Sequence, residues 1–199
     1  MLQDRVILGI DPGTVIMGYG VIHITNKTPK LLSLGVIKLN KMENMADRLK
    51  TIFDRTVSII DQYKPDELAI EAPFFGKNVQ SMLKLGRAQG VCIAAALSRS
   101  VPMTEYSPKK IKQSLTGNGN ASKEQVAAML QHQFKFTELP KYLDATDALA
   151  AAICHFYQRN TVSSGKKSYS GWDSFVKDNL DKVKNSKTTP KKMLTAVKR

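Results

Sequence analysis

Four acidic residues stand at positions where a carboxylate can take part in chemistry. Asp11 ends the apolar segment at residues 6–10, and Glu71 ends the apolar segment at residues 68–70. Asp144 and Asp147 are spaced i and i+3 in Asp-Ala-Thr-Asp-Ala-Leu-Ala. A set of carboxylates without histidine suits Mg²⁺ or Mn²⁺ better than zinc. If the four meet, they predict a two-ion centre that cuts a phosphodiester bond by in-line displacement.

Each of these acids also has a purely structural interpretation. An acid at the end of a strand can mark the point where the strand reaches solvent, although burial is costly unless the acid is solvated or holds a cation. Asp144 suits a helix N-cap, and Asp147 in the first turn complements the helix dipole. The motif alone favours capping, whereas the neighbouring alanines, which let a backbone or a phosphate approach, favour a ligand. Spacing cannot decide whether the four acids converge.

The same pattern of spacing predicts where the two aspartates lie on their helix. At about 100° per residue they are about 60° apart, roughly opposite a stripe formed by Leu149, Ile153 and Phe156. They can therefore share a ligand if the stripe packs on the core.

Basic and aromatic residues accompany the acids. Lysines flank a Gly-Asn loop at residues 117–120, namely Lys109, Lys110 and Lys112 before it and Lys123 after it. They are suited to binding phosphates, although Lys109 and Lys110 are better explained as part of a solvated helical face. Phe74 and Phe75 follow Glu71 closely, so an aromatic side chain there can stack on a base or pack in the core.

Composition makes a polyanion the first partner to consider. The chain of 199 residues has a formal net charge of +13 and a pI near 9.7. From residue 158 onward, eleven basic residues face three acidic ones, so +8 of that charge lies on the C-terminal segment. A mildly basic body that keeps acids at particular positions, joined to a cationic tail, favours a protein that acts on nucleic acid.

The pattern of apolar residues predicts a mixed α/β fold with a five-stranded sheet and helices on both faces. Strands are expected at 6–10, 18–25 and 31–39 as an antiparallel meander, and at 68–71 and 101–105. Helices are expected at 43–63, 78–98, after the Ser107-Pro108 cap, at 122–134 behind a Ser122–Gln125 capping box, and at 144–157.

We expect residues 1–158 to form one domain and residues 159–199 to form a basic, largely disordered tail. No segment has the length or character of a membrane span or secretion signal, so a cytoplasmic protein is expected. Cys92 and Cys154 are expected as buried free thiols. Gly86, Gly90 and Ala94 form a small-residue stripe, which favours packing on the sheet over contact with a second copy.

Several ordered motifs between residues 5 and 158 resemble the RuvC family of bacterial Holliday-junction resolvases. The motifs are Gly9-Ile-Asp-Pro-Gly-Thr with Gly18-Tyr-Gly, Ala69-Ile-Glu with Phe74 and Lys77-Asn, Lys84-Leu-Gly-Arg-Ala-Gln-Gly, Ile111-Lys-Gln with the Gly-Asn loop, and Asp144-Ala-Thr-Asp-Ala-Leu-Ala. The resemblance implies a ribonuclease-H-like fold and a homodimer that makes symmetric nicks in two opposed strands of a four-way DNA junction.

The resemblance also implies roles for particular residues. Asp11, Glu71, Asp144 and Asp147 match the family's catalytic metal ligands, which hold two Mg²⁺ ions with Mn²⁺ as a substitute. The DNA-binding positions implied are Phe74, Lys77, Asn78, Lys112 and Lys123. The implied partners are the RuvA and RuvB branch-migration proteins, in recombination and repair. Ala72-Pro73, which precedes Phe74, departs from the family pattern, and the tail has no counterpart in short family members.

Two other classes of protein compete with a junction nuclease. An Asp-x-Gly-Thr turn after a first strand also occurs in sugar-kinase and actin-like ATPases, but those chains are longer and have a second glycine-rich phosphate loop. A DNA-binding protein without catalysis is disfavoured by the four acids, since carboxylates repel phosphate unless a metal neutralises them.

Overall fold

A computed structural model of the chain describes residues 4–73, 78–137 and 140–163, with side chains described as far as Arg159. In these residues strands and helices follow the expected order. The elements are β1 (Arg5–Asp11), β2 (Ile16–Thr25), β3 (Thr28–Lys38), α1 (Met45–Tyr63), β4 (Glu67–Glu71), α2 (Val79–Leu97), β5 (Met103–Tyr106), α3 (Pro108–Thr116), α4 (Lys123–Phe134) and α5 (Leu143–Ser163). None of these helices has the length and apolar character needed to cross a membrane.

The sheet has the mixed topology that the sequence predicts. Its strand order is β3-β2-β1-β4-β5, with β1 and β3 antiparallel to β2. The crossover through α1 makes β4 parallel to β1, and β5 is parallel to β4. The C-terminal ends of β1, β3, β4 and β5 therefore lie at one edge of the sheet, which we call the carboxyl edge.

Local signals fix most helix boundaries. Ser107 caps α3, and Pro108 takes its first position. Ser122 and Gln125 form the expected capping box at the start of α4, each side chain bonding to the other's backbone N–H. α5 departs from expectation at both ends: it begins at Leu143 and continues beyond residue 157. Asp144 is therefore not the N-cap but a residue of the first turn.

Helices cover both faces of the sheet. On one face α1 and α2 pack on strand residues such as Leu8, Ile10 and Ile70. On the other face α3, α4 and α5 pack on residues such as Ile7 and Ala69. Both cysteines are buried free thiols, one in each core, as expected.

α5 is the central helix of its layer. Every residue from 145 to 156 is buried, because the sheet covers one side and α3 and α4 cover the other. The expectation of a single apolar stripe opposite the aspartates is wrong, since the whole circumference of this segment is enclosed. Asp147 is consequently buried despite its charge.

The small-residue stripe of α2 faces outward, which corrects the expectation that it packs on the sheet. Gly86, Gly90 and Ala94 are exposed, and nothing lies within 4 Å of a Cβ built at either glycine. The sheet instead receives a different face of the helix, which includes Ala88 and Cys92. Both faces are rich in small residues, so composition did not distinguish them.

Glycines in β1 and β2 bring the α5 backbone unusually close to the sheet. A Cβ at Gly9 would lie 2.0 Å from the backbone oxygen of Ala148, and a Cβ at Gly18 would lie 1.9 Å from that of Asp144. Real side chains do not approach a backbone this closely, so α5 can occupy its place only because these strand positions lack a side chain.

We expect Gly9→Ala to destabilise the fold by about 3 kcal/mol or more, because the added methyl group forces the α5 backbone off the sheet. Gly35→Ala is the matched control: its Cβ would meet only the end of the Tyr19 side chain, which can move. Chemical denaturation of both variants tests the difference. Equal stability of the two variants would contradict the claim that this close packing limits the fold.

Candidate active site

Strand alternation and register bring Asp11 and Glu71 together at the carboxyl edge. Ile10 of β1 pairs with Ile70 of β4, so the next residue of each strand, Asp11 and Glu71, ends its strand at the same level. Side chains alternate between the two faces of a strand. Since Gly9 faces α5, Asp11 two residues later faces the same helix.

α5 contributes the other two acids to the same place. The backbone oxygen of Asp144 packs over Gly18, and Gly18 pairs in register with Asp11. Asp147 lies almost one turn further along the helix, with its side chain only 10% exposed. The Lys123 ammonium, on the first residue of α4, donates a hydrogen bond to its Oδ2.

The acids interact electrostatically across the three elements. Burial, followed by the charges of Glu71 and Asp147, raises the pKa of Asp11 well above its ordinary value. Burial and the charge of Asp147 raise the pKa of Glu71 to about 7. Burial also raises the pKa of Asp147, although the hydrogen bond from Lys123 opposes this increase. The four acids therefore repel one another in a partly dry environment.

This donor set fits a hard divalent cation. The ligands available are carboxylate oxygens, and their mutual repulsion is the electrostatic condition that a bound cation relieves. Among the described residues, no group of three or more Asp, Glu, His or Cys side chains is placed so that it could hold a metal ion. The charge of Asp147 raises the pKa of both Asp11 and Glu71, so the acids are close, but their side chains do not form a coordination sphere in this structure.

An open cleft of about 160 Å³ adjoins Asp11 and Glu71. Pro12, Ala72, Pro73 and Leu85 complete its lining. Ala72 continues the backbone pairing of β4, since its N–H donates to the Tyr106 oxygen at 2.9 Å. The Ala72-Pro73 departure therefore lies in the wall of the cleft, beside the acids.

Two lysines lie close enough to the acids to affect their ionisation. The charges of Lys112 and Lys123 lower the pKa of both Glu71 and Asp147, opposing the effect of burial. Burial by itself would lower the pKa of Lys123, but the hydrogen bond to Asp147 and the nearby carboxylates raise it overall. Lys109 and Lys110 are exposed, as a solvated helical face requires.

The predicted DNA-binding residues after Glu71 are only partly described. Phe74 and Lys77 lie outside the described residues. Asn78 has a structural role, because its side-chain oxygen caps α2 by accepting from the Ser81 N–H at 3.0 Å. Its role in binding DNA remains a prediction.

Sequence reasoning missed a polar network on the same face, which joins α5 to the last residue of β5 and the first residue of β4. His155 of α5 pairs with the Tyr106 hydroxyl at 2.8 Å and with Glu67 at 2.8 Å. Arg159 also bonds to Glu67. These residues are far apart in the chain. The only sequence signals for the network are that Glu67 lies on the same face of β4 as Glu71, and that His155 and Arg159 are four residues apart on α5.

We expect the raised pKa of Glu71 to make stability depend on pH when divalent metal is removed. The pKa of Glu71 is higher in the folded than in the unfolded state, so protonation of Glu71 stabilises the fold. This stabilisation is complete below pH 4.5, the ordinary pKa of the group, and is lost as the pH rises through about 7. The unfolding free energy should fall between pH 5 and pH 8 by up to about 3 kcal/mol through this group. Glu71→Gln should reduce that fall, as measured by denaturation in chelator.

Asp54→Asn, which removes an exposed carboxylate on α1, serves as the control and should keep the wild-type profile. Excess Mg²⁺ should stabilise the wild type at pH 8 more than it stabilises Glu71→Gln. The same decline with pH in the wild type and in Glu71→Gln would contradict the electrostatic account of the site.

The family described as "Crossover junction endodeoxyribonuclease RuvC" matches residues 7–155. Proteins of that name from Christiangramia forsetii and Cytophaga hutchinsonii are 62% and 60% identical to this chain. The first match covers 92% of this chain and 94% of the relative, and the second covers 96% and 92%. The second match therefore extends through most of residues 159–199.

Solved structures agree with the sequence comparison. The structure titled "T. thermophilus RuvC in complex with Holliday junction substrate" has a TM-score of 0.73 and 34% identity, covering 79% of this chain and 96% of that one. The yeast mitochondrial Holliday junction resolvase Ydc2 shares the fold, with a TM-score of 0.59 and 15% identity over 79% of this chain and 81% of that one. The ribonuclease-H-like fold is confirmed, and the chain belongs to the RuvC family of crossover junction endodeoxyribonucleases.

Proposed function

We propose that this protein cuts four-way DNA junctions by paired symmetric nicks, at the acids that the carboxyl edge and α5 bring together. The observation that carries the proposal is the convergence of Asp11, Glu71 and Asp147, three carboxylates from three elements: the charge of Asp147 raises the pKa of both Asp11 and Glu71, and the charge of Glu71 raises that of Asp11. Membership of the RuvC family and likeness to a structure determined with junction DNA support the same substrate.

The residues that would hold the metal are Asp11, Glu71, Asp144 and Asp147. Mg²⁺ is the expected ion, two per site, and Mn²⁺ can substitute because it prefers the same oxygen ligands. When bound, the two ions supply an activated water and stabilise the leaving oxygen at phosphorus. Glu71 must be ionised to act as a ligand, and a neighbouring cation favours ionisation by lowering its pKa from about 7.

Lys112 and Lys123 flank the acids and suit the phosphates of the substrate. A phosphodiester brings a negative charge to a place that is already acidic, so cations beside the carboxylates reduce the cost of its approach. The Lys123 side chain is about half exposed, and its ammonium forms a salt bridge with the Asp147 carboxylate. It therefore neutralises charge at the boundary between the acids and solvent.

The family resemblance supports the proposals for the remaining DNA contacts and partners. Phe74 is proposed to probe the junction by stacking, with Lys77 and Asn78 beside it. The basic tail, residues 159–199, adds sequence-independent affinity for phosphates. RuvA and RuvB are the proposed branch-migration partners, and a DNA-processing enzyme of this kind acts in the cytoplasm.

The outward face of α2 supports a homodimer. Exposed apolar residues border the small-residue stripe along one side of the helix: Val79 is 58% exposed, Leu83 50% and Leu97 58%. With Gly86 and Gly90 they recur at intervals of three, four and seven residues, so they share one face. A second copy of α2 can approach the glycines closely while covering the apolar residues. Two opposed nicks also require two active sites.

Asp11→Asn and Asp147→Asn should each abolish cutting while leaving junction binding largely intact, because these acids hold metal rather than DNA. The loss should be at least about a hundredfold in rate, since a metal ion provides several kcal/mol of transition-state stabilisation. The measurement is incubation with a labelled four-way junction and with a linear duplex of the same sequence, in Mg²⁺ or in chelator.

Paired nicks at symmetric positions, in the junction only and with metal only, are the expected wild-type result. Loss of binding in either variant would contradict the assignment of these acids as metal ligands. Binding of the junction by the wild type without cutting, with either metal, would leave a junction-recognition protein instead of a nuclease.

The wild type should be a dimer without DNA at micromolar concentration, and Leu83→Lys should shift it to a monomer by placing a charge in the α2 interface. Met129→Lys is the matched control, because Met129 has a similar exposure of 48% on a different helix. Light scattering gives the masses. A monomeric wild type, or a dimer that survives Leu83→Lys, would count against this interface.

A further inference from the structure

A second group of cations lies at the carboxyl edge, on the side away from Lys112 and Lys123. The Lys38 ammonium lies 4.8 Å from the centre of the Tyr142 ring, and the Lys141 ammonium lies 5.9 Å from the same ring. We call these three residues the Tyr142 cluster. Lys38 is the last residue of β3, and Tyr142 directly precedes α5.

The sheet topology fixes where this cluster stands relative to the acids. Asp11 pairs with Gly18, Gly18 pairs with Val36, and Lys38 is two residues further along β3 in the direction of the carboxyl edge. Strand spacing places the Lys38 backbone about 10 Å across the sheet from Asp11 and about 7 Å further along. The direct separation is then about 12 Å, which at a rise of about 3.4 Å per nucleotide corresponds to about four nucleotides of a DNA strand.

The lysines on the other side of the acids reach the edge through different elements. β5 ends at Tyr106 on the far side of β4, and α3, which carries Lys112, begins two residues later. Lys123 follows on α4. The acids on β1 and β4 therefore lie between two sets of cations, one at each end of the same edge.

Within the part of the chain that the structure describes, no acidic side chain pairs with the lysines of the Tyr142 cluster. Both lysines are exposed, and no Asp or Glu oxygen of the described residues lies within 4 Å of either ammonium. Both ammonium groups lie near the same aromatic ring, which attracts each of them. An anion close to the ring is therefore attracted by two positive charges.

We propose that the Tyr142 cluster binds backbone phosphates of the junction arm that leaves the active site on the β3 side. Lys38 and Lys141 contact the phosphates, and the Tyr142 ring positions the two ammonium groups. The cluster and the Lys112–Lys123 side then hold the DNA strand on both sides of the scissile phosphate. This inference rests on the proposed function and extends it to residues that the family resemblance does not assign.

The test is junction binding in chelator, measured across a range of salt concentrations. Each phosphate contact contributes about 0.9 to the slope of log affinity against log salt concentration, so the double variant Lys38→Ala, Lys141→Ala should lower that slope by about 2. At about 0.1 M salt each single variant should bind up to about tenfold more weakly. Tyr142→Leu should weaken binding about two- to fivefold by releasing the lysines, whereas Tyr142→Phe keeps the ring and should bind like the wild type.

Lys30→Ala is the matched control, since Lys30 is an exposed lysine of β3 at the opposite end of the strand. Lys30→Ala removes the same charge as Lys38→Ala but no proposed contact. Only the loss of a distant charge should then affect binding, so affinity and salt slope should stay within about twofold of the wild-type values. Thermal unfolding of every variant checks that the fold is kept. Lys38→Ala binding that equals Lys30→Ala binding would overturn the proposal.

The wild type separates the two levels of the argument. If the wild type binds and cuts the junction but the Tyr142 cluster variants behave like Lys30→Ala, the cluster is not a phosphate site while the proposed function stands. If the wild type itself does not bind the junction, the proposed function fails, and the inference about the cluster fails with it.

Discussion

The contact of the α5 backbone with β1 and β2 is the constraint on which the candidate active site depends. Gly9 and Gly18 leave no side chain between the strands and the helix, so backbone atoms of α5 occupy the space that a Cβ would fill. The helix can carry small residues such as Ala148 on that side for the same reason. Carboxylates have short side chains, and a wider helix-to-sheet separation would move Asp147 out of reach of Asp11.

A second contact fixes α5 at its other end. His155 lies eight residues after Asp147, about 12 Å along the helix at 1.5 Å per residue. Its pairing with Glu67 and Tyr106 links α5 to β4, which carries Glu71, and to the neighbouring strand β5. A buried polar network is destabilising when some of its hydrogen bonds are broken, so this network opposes sliding of the helix along the sheet. The network thus helps to keep Asp147 in register with Glu71.

The sequence predicted most of the elements because their signals are local. Apolar strands, the Ser107 cap and the Ser122 capping box need only neighbouring residues. The N-terminus of α5 was misjudged because Asp144 has the chemistry of a cap, yet the helix starts one residue earlier. The outward face of α2 was misjudged because its two faces have similar composition. The His155 network joins residues 88 positions apart, beyond any local pattern.

The candidate site was predictable only as a set of residues, not as an arrangement. The positions of Asp11 and Glu71 at strand ends suggested that they lie side by side, and the strand register places them so. The burial of Asp147 and its contact with Lys123 depend instead on how α4 and α5 pack. That packing encloses charges that repel one another, so the folded chain keeps electrostatic free energy that Lys123 relieves only in part. A cation at the acids relieves it further, and a phosphate then adds charge again. Cations beside these acids therefore reduce the cost of bringing a phosphate to them.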